Sequence, residues 1–188
     1  MMETPTYLQD AKHLLGERGF VTSNTWYHCA STVLLASISQ QGLKRSGDSE
    51  LKAATRKTMA TIGDSSFAET DEPLFLTQSR ELAFYWAQQK VRERLVRLQG
   101  DEQPVVLAVT LPPQINEQVR PDVGAASLLL LAEGERFMAH LAGIYQQHGF
   151  GVPEIDLRKA NRMEYLQTLG MAYIDADIDA GYVEVVSD

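Results

Sequence analysis

The 188-residue chain is 44% hydrophobic and 22% charged, enough for one domain with a sizeable core. Its 17 Lys and Arg against 25 Asp and Glu give a formal charge of -8, which excludes a general nucleic-acid-binding surface and confines any phosphate-binding patch to a local feature. A single cysteine, Cys29, excludes an internal disulfide and a cysteine-built zinc site. No leader pattern opens at Met1–Pro5, and the longest aliphatic run, Leu128–Ala132, is too short to cross a bilayer, so a soluble, cytoplasmic protein without membrane partners is expected.

Tyr7, Leu8, Ala11, Leu14 and Leu15 recur at helical spacing ahead of Gly19 and predict an amphipathic helix over Tyr7–Arg18. The β-branched and aromatic run Thr25–Cys29 predicts a strand. After it, Ser31 is placed to cap a helix whose apolar positions are Leu34, Leu35 and Ile38 and which Gly42 ends. Lys44–Glu72 is polar, with Leu51, Met59, Ile62 and Phe67 its sizeable apolar residues, and reads as a long loop holding at most one helical stretch. Leu74–Leu76 reads as a short buried strand. Ser79 then caps a helix with Leu82, Trp86, Val91, Leu95 and Leu98 on its apolar side, Lys90, Arg92, Glu93, Arg94 and Arg97 on its solvated side, and Gly100 at its end.

Pro104–Leu111 is an apolar run of strand length that Pro112-Pro113 stops. Leu128–Leu131 carries no period and fits either a strand or a helix start. Glu135–His148 predicts a helix closed by Gly149, and Leu157–Leu169 a weaker one. Met171–Ile174 and Tyr182–Val186 read as strands around an acidic turn. The order points to one α+β domain spanning the chain, with a mainly helical insertion over 112–170.

The chemistry-bearing segment is Tyr27-His28-Cys29-Ala30-Ser31, at a strand-to-helix junction. On a strand His28 and Cys29 point to opposite faces, which disfavours a thiol nucleophile with its base. Taken alone, His28 reads as a half-buried histidine bonded to backbone. Lys44, Arg45, Lys52, Arg56 and Lys57 oppose only Asp48 and Glu50, five cations against two carboxylates, a local excess that would attract a pyrophosphate. No Walker, dinucleotide-fold or His-Glu-x-x-His pattern occurs, and metal catalysis has no support.

Taken together, Tyr27-His28-Cys29-Ala30-Ser31 with Ile38 and Gly42-Leu43, Leu74-Phe75-Leu76-Thr77 with Ala83–Ala87, the Pro104–Val109 strand and the terminal Tyr182-Val183 pair resemble the ADP-ribosyltransferase superfamily over most of the chain. The resemblance implies an α+β fold around a split β-sheet with NAD in the cleft between its halves. It implies that His28 hydrogen-bonds the adenosine ribose, that backbone groups of Cys29 hold the nicotinamide amide with Ser31 as a possible substitute hydroxyl, and that Phe75 and Tyr85 supply aromatic surface. Tyr85 lies one step off the apolar stripe that holds Trp86, and is the expected stacking ring, in one cavity with His28. Arg45, from the cationic Lys44–Lys57 stretch, is the residue chosen for the pyrophosphate.

Cleaving the nicotinamide–ribose bond builds oxocarbenium character, so a carboxylate beside the ribose is required. Glu184 on the last strand is the chosen acid. Aligning Tyr182-Val183 with the family's aromatic–aliphatic pair instead puts Gly181 at the glutamate position, and Asp175, Asp177 and Asp179 stay open as alternatives. The family has glycine where Cys29 stands and a hydroxyl residue where Ala30 stands. The implied function is NAD-dependent transfer of ADP-ribose to a macromolecular acceptor, protein more than nucleic acid, with an inhibitory protein partner expected if the protein is toxin-like. Two alternatives remain: an NAD-dependent RNA 2′-phosphotransferase, which the acidic balance disfavours, and a catalytically silent nucleotide- or protein-binding module of the same fold.

Overall fold

The structure, a computed structural model, describes residues 2–61, 72–122, 132–152, 156 and 158–186. The N-terminal segment departs from the expected helix. A 3-10 turn at Thr6–Leu8 is followed by a four-residue helix α1 (Ala11–Leu14), then a reversal in which β1 (Leu15–Gly16) pairs antiparallel with β2 (Gly19–Phe20). The reversal buries Leu15 and Phe20 in one apolar cluster with Leu82, Tyr145 and Leu169. That burial outweighs the weak propensity of a short one-sided helix.

Strand β3 spans Thr25–Ser31 and runs through a 3-10 turn at Thr32–Leu34 into α2 (Leu35–Gln41). Ser31 does not cap this turn; its hydroxyl is buried and donates to the Glu102 carboxylate at 2.6 Å. The polar stretch after Gly42 contains α3 (Ser49–Thr61), whose Leu51 N–H donates to Asp48 Oδ1. Ile62 and Phe67 lie outside the described residues.

Strand β4 (Leu74–Thr77) leads to α4 (Arg80–Leu98), where the Ser79 hydroxyl accepts the Leu82 N–H as expected. The buried side of α4 keeps Leu82 and Val91 of the expected stripe but not Leu95, which is exposed, and adds Ala83, Ala87 and Arg94. Strand β5 (Pro104–Thr110), the short helix α5 (Pro113–Asn116) and strand β6 (Arg120–Pro121) follow. The insertion therefore contributes an edge strand as well as helices.

Helix α6 (Ala132–Gln147) ends before Gly149, as expected. Helix α7 (Arg162–Leu169) starts later than Leu157 because Asn161 and Glu164 form a reciprocal capping box there. Leu128–Leu131 and Leu157 lie outside the described residues. Strands β7 (Met171–Ile174) and β8 (Val183–Val185) complete the chain, with a 3-10 turn at Ala180–Tyr182 shortening the expected last strand.

The main sheet is antiparallel throughout, in the order β6-β7-β4-β3-β5-β8. β3 pairs with β5 along its whole length, from Thr25 opposite Thr110 to Ser31 opposite Pro104, and β4 pairs fully with β7. β3 and β4, by contrast, share the single partner pair Tyr27–Thr77. Backbone pairing between the two sides of the sheet, β6-β7-β4 and β3-β5-β8, is thus limited to one residue pair, with the His28 ring also bonded to the Phe75 carbonyl of β4. Trp26, Ala30, Leu107 and Val109 pack on one face with Leu43 and Ile178, while Tyr27 and Val106 pack against Ala83 and Phe84 of α4 on the other.

No helix among the described residues is long and apolar enough to cross a membrane.

Candidate functional site

Where backbone pairing of β3 with β4 is limited to Tyr27–Thr77, a cavity of about 690 Å³ lies alongside. That volume falls within the range of small-ligand and cofactor sites. His28 and Cys29 of β3, Leu74 and Phe75 of β4, the Gly42–Asp48 loop, α3 and Lys90 of α4 line it.

Gly42 sets the path of that loop. Its φ of +76° is in the glycine region, and the close approach of the Ile178, Asp179 and Ala180 backbone leaves no room for a Cβ. The chain turns there so that Leu43 and Ile178 exchange backbone hydrogen bonds of 2.8 and 2.9 Å, which brings Lys44 and Arg45 beside the acidic turn after β7. Arg45 Nη1 lies 3.0 Å from Asp175, the Arg45 N–H donates to Asp177 at 2.9 Å, and Lys44 lies 3.3 Å from Asp177. The backbone hydrogen bond from Arg45, with Lys44 adding to it, holds the Asp177 carboxyl below the usual range. These aspartates brace the cationic loop, and Asp179 merely precedes the 3-10 turn at Ala180.

The cavity lining carries Lys44, Arg45, Lys52, Arg56 and Lys90 against Asp48, Glu72 and Glu93. In a chain of formal charge -8, this is a local cluster of cations, of which Lys44 and Arg45 also face Asp177 and Asp175.

His28 Nδ1 lies 2.7 Å from the Phe75 carbonyl. A carbonyl only accepts, so Nδ1 carries the proton and Nε2 is left with a lone pair that accepts from a hydroxyl. Burial pushes the imidazole pKa down to about 4, the Lys90 charge acts in the same direction, and the bond to Phe75 opposes both. His28 is therefore neutral at pH 7. Burial also raises the Cys29 thiol, which disfavours a thiolate nucleophile there.

The depressed His28 pKa has a signed consequence for stability. Between its folded value of about 4 and an unfolded value of about 6.5 the unfolded chain binds the proton and the native state does not, so stability is lost as pH falls through that window. Asp10, raised by burial to about 7, works in the opposite sense, its contribution being present at acid pH and lost as pH rises. The comparison with His28→Gln isolates the histidine. Urea unfolding should show the parent losing at most about 3 kcal/mol relative to His28→Gln between pH 7 and pH 4. A constant difference across that range would mean that His28 titrates normally.

Several expected site residues lie elsewhere. Tyr85 does not share the cavity with His28. Its ring stacks on His140 of α6 at 4.5 Å, meets Trp86 edge-on at 5.5 Å and packs against the cluster of Leu141 and Tyr145. The side of α4 that covers the sheet carries Ala83, Phe84, Ala87 and Val91, leaving Tyr85 on the flank that α6 covers. Phe75, 45% exposed, is the one phenyl ring among the described lining residues.

Glu184 lies outside the cavity too. It sits on β8 opposite Ala108 and lines a separate groove of about 320 Å³ with Asn24, Thr110 and Tyr182. The strand order puts β8 beyond β5, two strands from β3. Ser31 is 0% exposed and engaged by Glu102, so its hydroxyl is not offered to a ligand.

Lys90, which lines the cavity, Arg94, which contacts the lining residue Asp48, and Glu102, which contacts Arg94, were not expected here. A signal for Arg94 exists: it follows Ala87 and Val91 at helical spacing, which puts it on the covered side of α4 whatever its charge. No group of three or more His, Cys, Asp or Glu suited to a metal occurs among the described residues. No family model, curated protein or solved structure matches the chain.

Proposed function

We propose that the cavity beside β3 and β4 binds NAD, and that the protein is an ADP-ribosyltransferase-like enzyme moving ADP-ribose to a macromolecular acceptor, protein in preference to nucleic acid. The observation that carries this reading is the cavity where backbone pairing of β3 with β4 is limited to Tyr27–Thr77, lined by both His28 and Phe75. It supports the cleft location that the sequence resemblance implies for NAD. The Nε2 lone pair of a neutral His28 suits a ribose hydroxyl, the exposed Phe75 ring suits a flat heterocycle, and Lys44, Arg45, Lys52 and Arg56 suit a pyrophosphate. In the reaction the nicotinamide–ribose bond breaks, nicotinamide leaves with the bonding pair, and an acceptor nucleophile bonds to the ribose carbon.

One observation favours a second reading, a nucleotide-binding module without transfer activity: Glu184 lies in a different groove from His28. The two separate by incubating the protein with NAD, with and without a cell extract as acceptor source, and quantifying free nicotinamide by chromatography. Transfer predicts nicotinamide release that the extract accelerates. Binding of NAD in calorimetry without release leaves the silent module, and absence of both removes the two readings together. His28→Ala should weaken NAD binding by about tenfold, as the loss of one hydrogen bond implies. Its melting temperature should stay within a few degrees of the parent's, and an unchanged affinity would place the ribose elsewhere.

A further inference from the structure

Helix α3 forms part of the cavity wall, yet no residue from Ser49 to Lys57 is buried and Leu51 is the one large apolar side chain in that stretch. That stretch offers little hydrophobic surface with which to hold its place. Its start is held by charge instead. Arg94, whose side chain is 1% exposed, contacts Asp48 Oδ1 through Nη1 and reaches Glu50 at 3.3 Å through Nη2, while its Nε donates to Glu102 at 2.7 Å. Asp48 Oδ1 also accepts the Leu51 N–H, within the first turn of α3. Glu102 in turn takes the Ser31 hydroxyl. One guanidinium therefore joins a fixed frame, made of β3, α4 and the start of β5, to the first turn of α3.

We propose that Arg94, acting through Asp48, is a positioning residue that latches α3 against the cavity and so sets where Lys52 and Arg56 meet a bound ligand. The consequence for ligand affinity rests on the NAD reading above; the latch itself does not. Removing the Asp48 carboxylate leaves the Arg94–Glu102 pair in place and takes away the closer of the two contacts from Arg94 to the start of α3, the one to Glu50 remaining. Cys29, the single cysteine and part of the cavity lining, reports the opening.

The experiment is the rate of Cys29 alkylation by N-ethylmaleimide in the full chain without denaturant. It compares the parent, Asp48→Ala, Asp48→Asn and, as a control in the cluster on the far side of α4, Leu141→Ala. Asp48→Ala should react about tenfold faster. Asp48→Asn, which keeps an oxygen for the Leu51 N–H, should fall between it and the parent. Leu141→Ala should react like the parent although it melts lower. Equal rates for Asp48→Ala and the parent overturn the latch, and so does equal acceleration in Leu141→Ala, which would make the opening global. Adding NAD should slow alkylation of the parent, and Asp48→Ala should need about ten times more NAD for the same protection. If NAD protects neither protein, the NAD reading fails while the rates without NAD still decide the latch. If NAD protects both at the same concentration, α3 is not positioned for the ligand and the proposal falls.

Discussion

Arg94→Met is expected to cost about 3–5 kcal/mol of unfolding free energy, the range for removing one partner of a buried ion pair. The loss comes from what remains. Glu102, 5% exposed and pulled below the usual carboxyl range because bonds from Arg94 and Ser31 outweigh its burial, would keep only the Ser31 hydroxyl, and Asp48 would lose its closest cation. Methionine fills much of the aliphatic stem's volume, so little of the cost is a cavity. Urea unfolding at pH 7 measures it, and the double variant Arg94→Met with Glu102→Gln should recover part of the loss because the stranded charge is gone. A single-variant cost below about 1 kcal/mol would mean the network behaves as a solvated surface cluster.

Gly42→Ala is expected to be nearly as damaging, at about 3 kcal/mol, and to disturb the cavity as well. At φ +76° an L side chain is strained, and the added Cβ would meet backbone atoms of Ile178, Asp179 and Ala180, which cannot rotate away. Relieving the overlap would part Leu43 from Ile178 and carry Lys44 and Arg45 away from Asp175 and Asp177. Gly181→Ala supplies the contrast, since nothing lies within 4 Å of a Cβ there. Thermal melts of the two variants should differ by many degrees, and a Gly42→Ala melt like that of Gly181→Ala would contradict the steric reading.

What is legible in the sequence follows from how local its cause is. The Thr25–Ser31 and Pro104–Thr110 strands, the Ser79 cap and the stop after α6 are set by β-branched content, proline, a hydroxyl and glycine within a few residues. His28, Phe75 and Arg45 line one cavity. The failures are non-local. Tyr85 depends on which helix covers the flank of α4, and Glu184 depends on strand order, which places β8 beyond β5. Arg94 reads as solvated when only its charge is considered, because partners 46 and eight positions away decide its burial. The Tyr7–Arg18 helix gives way to a reversal because Phe20 gains more from the cluster around Tyr145 than the helix gains from its propensity.

The most direct measurement is a backbone-amide NMR titration of the full chain with NAD. If the dinucleotide lies in the cavity beside β3 and β4, the largest shifts fall on His28, Cys29, the Gly42–Arg45 loop and Leu74–Phe75, and saturate together. Saturable shifts confined to Asn24, Thr110 and Tyr182–Glu184, or a spectrum that NAD leaves unchanged at millimolar concentration, would contradict it.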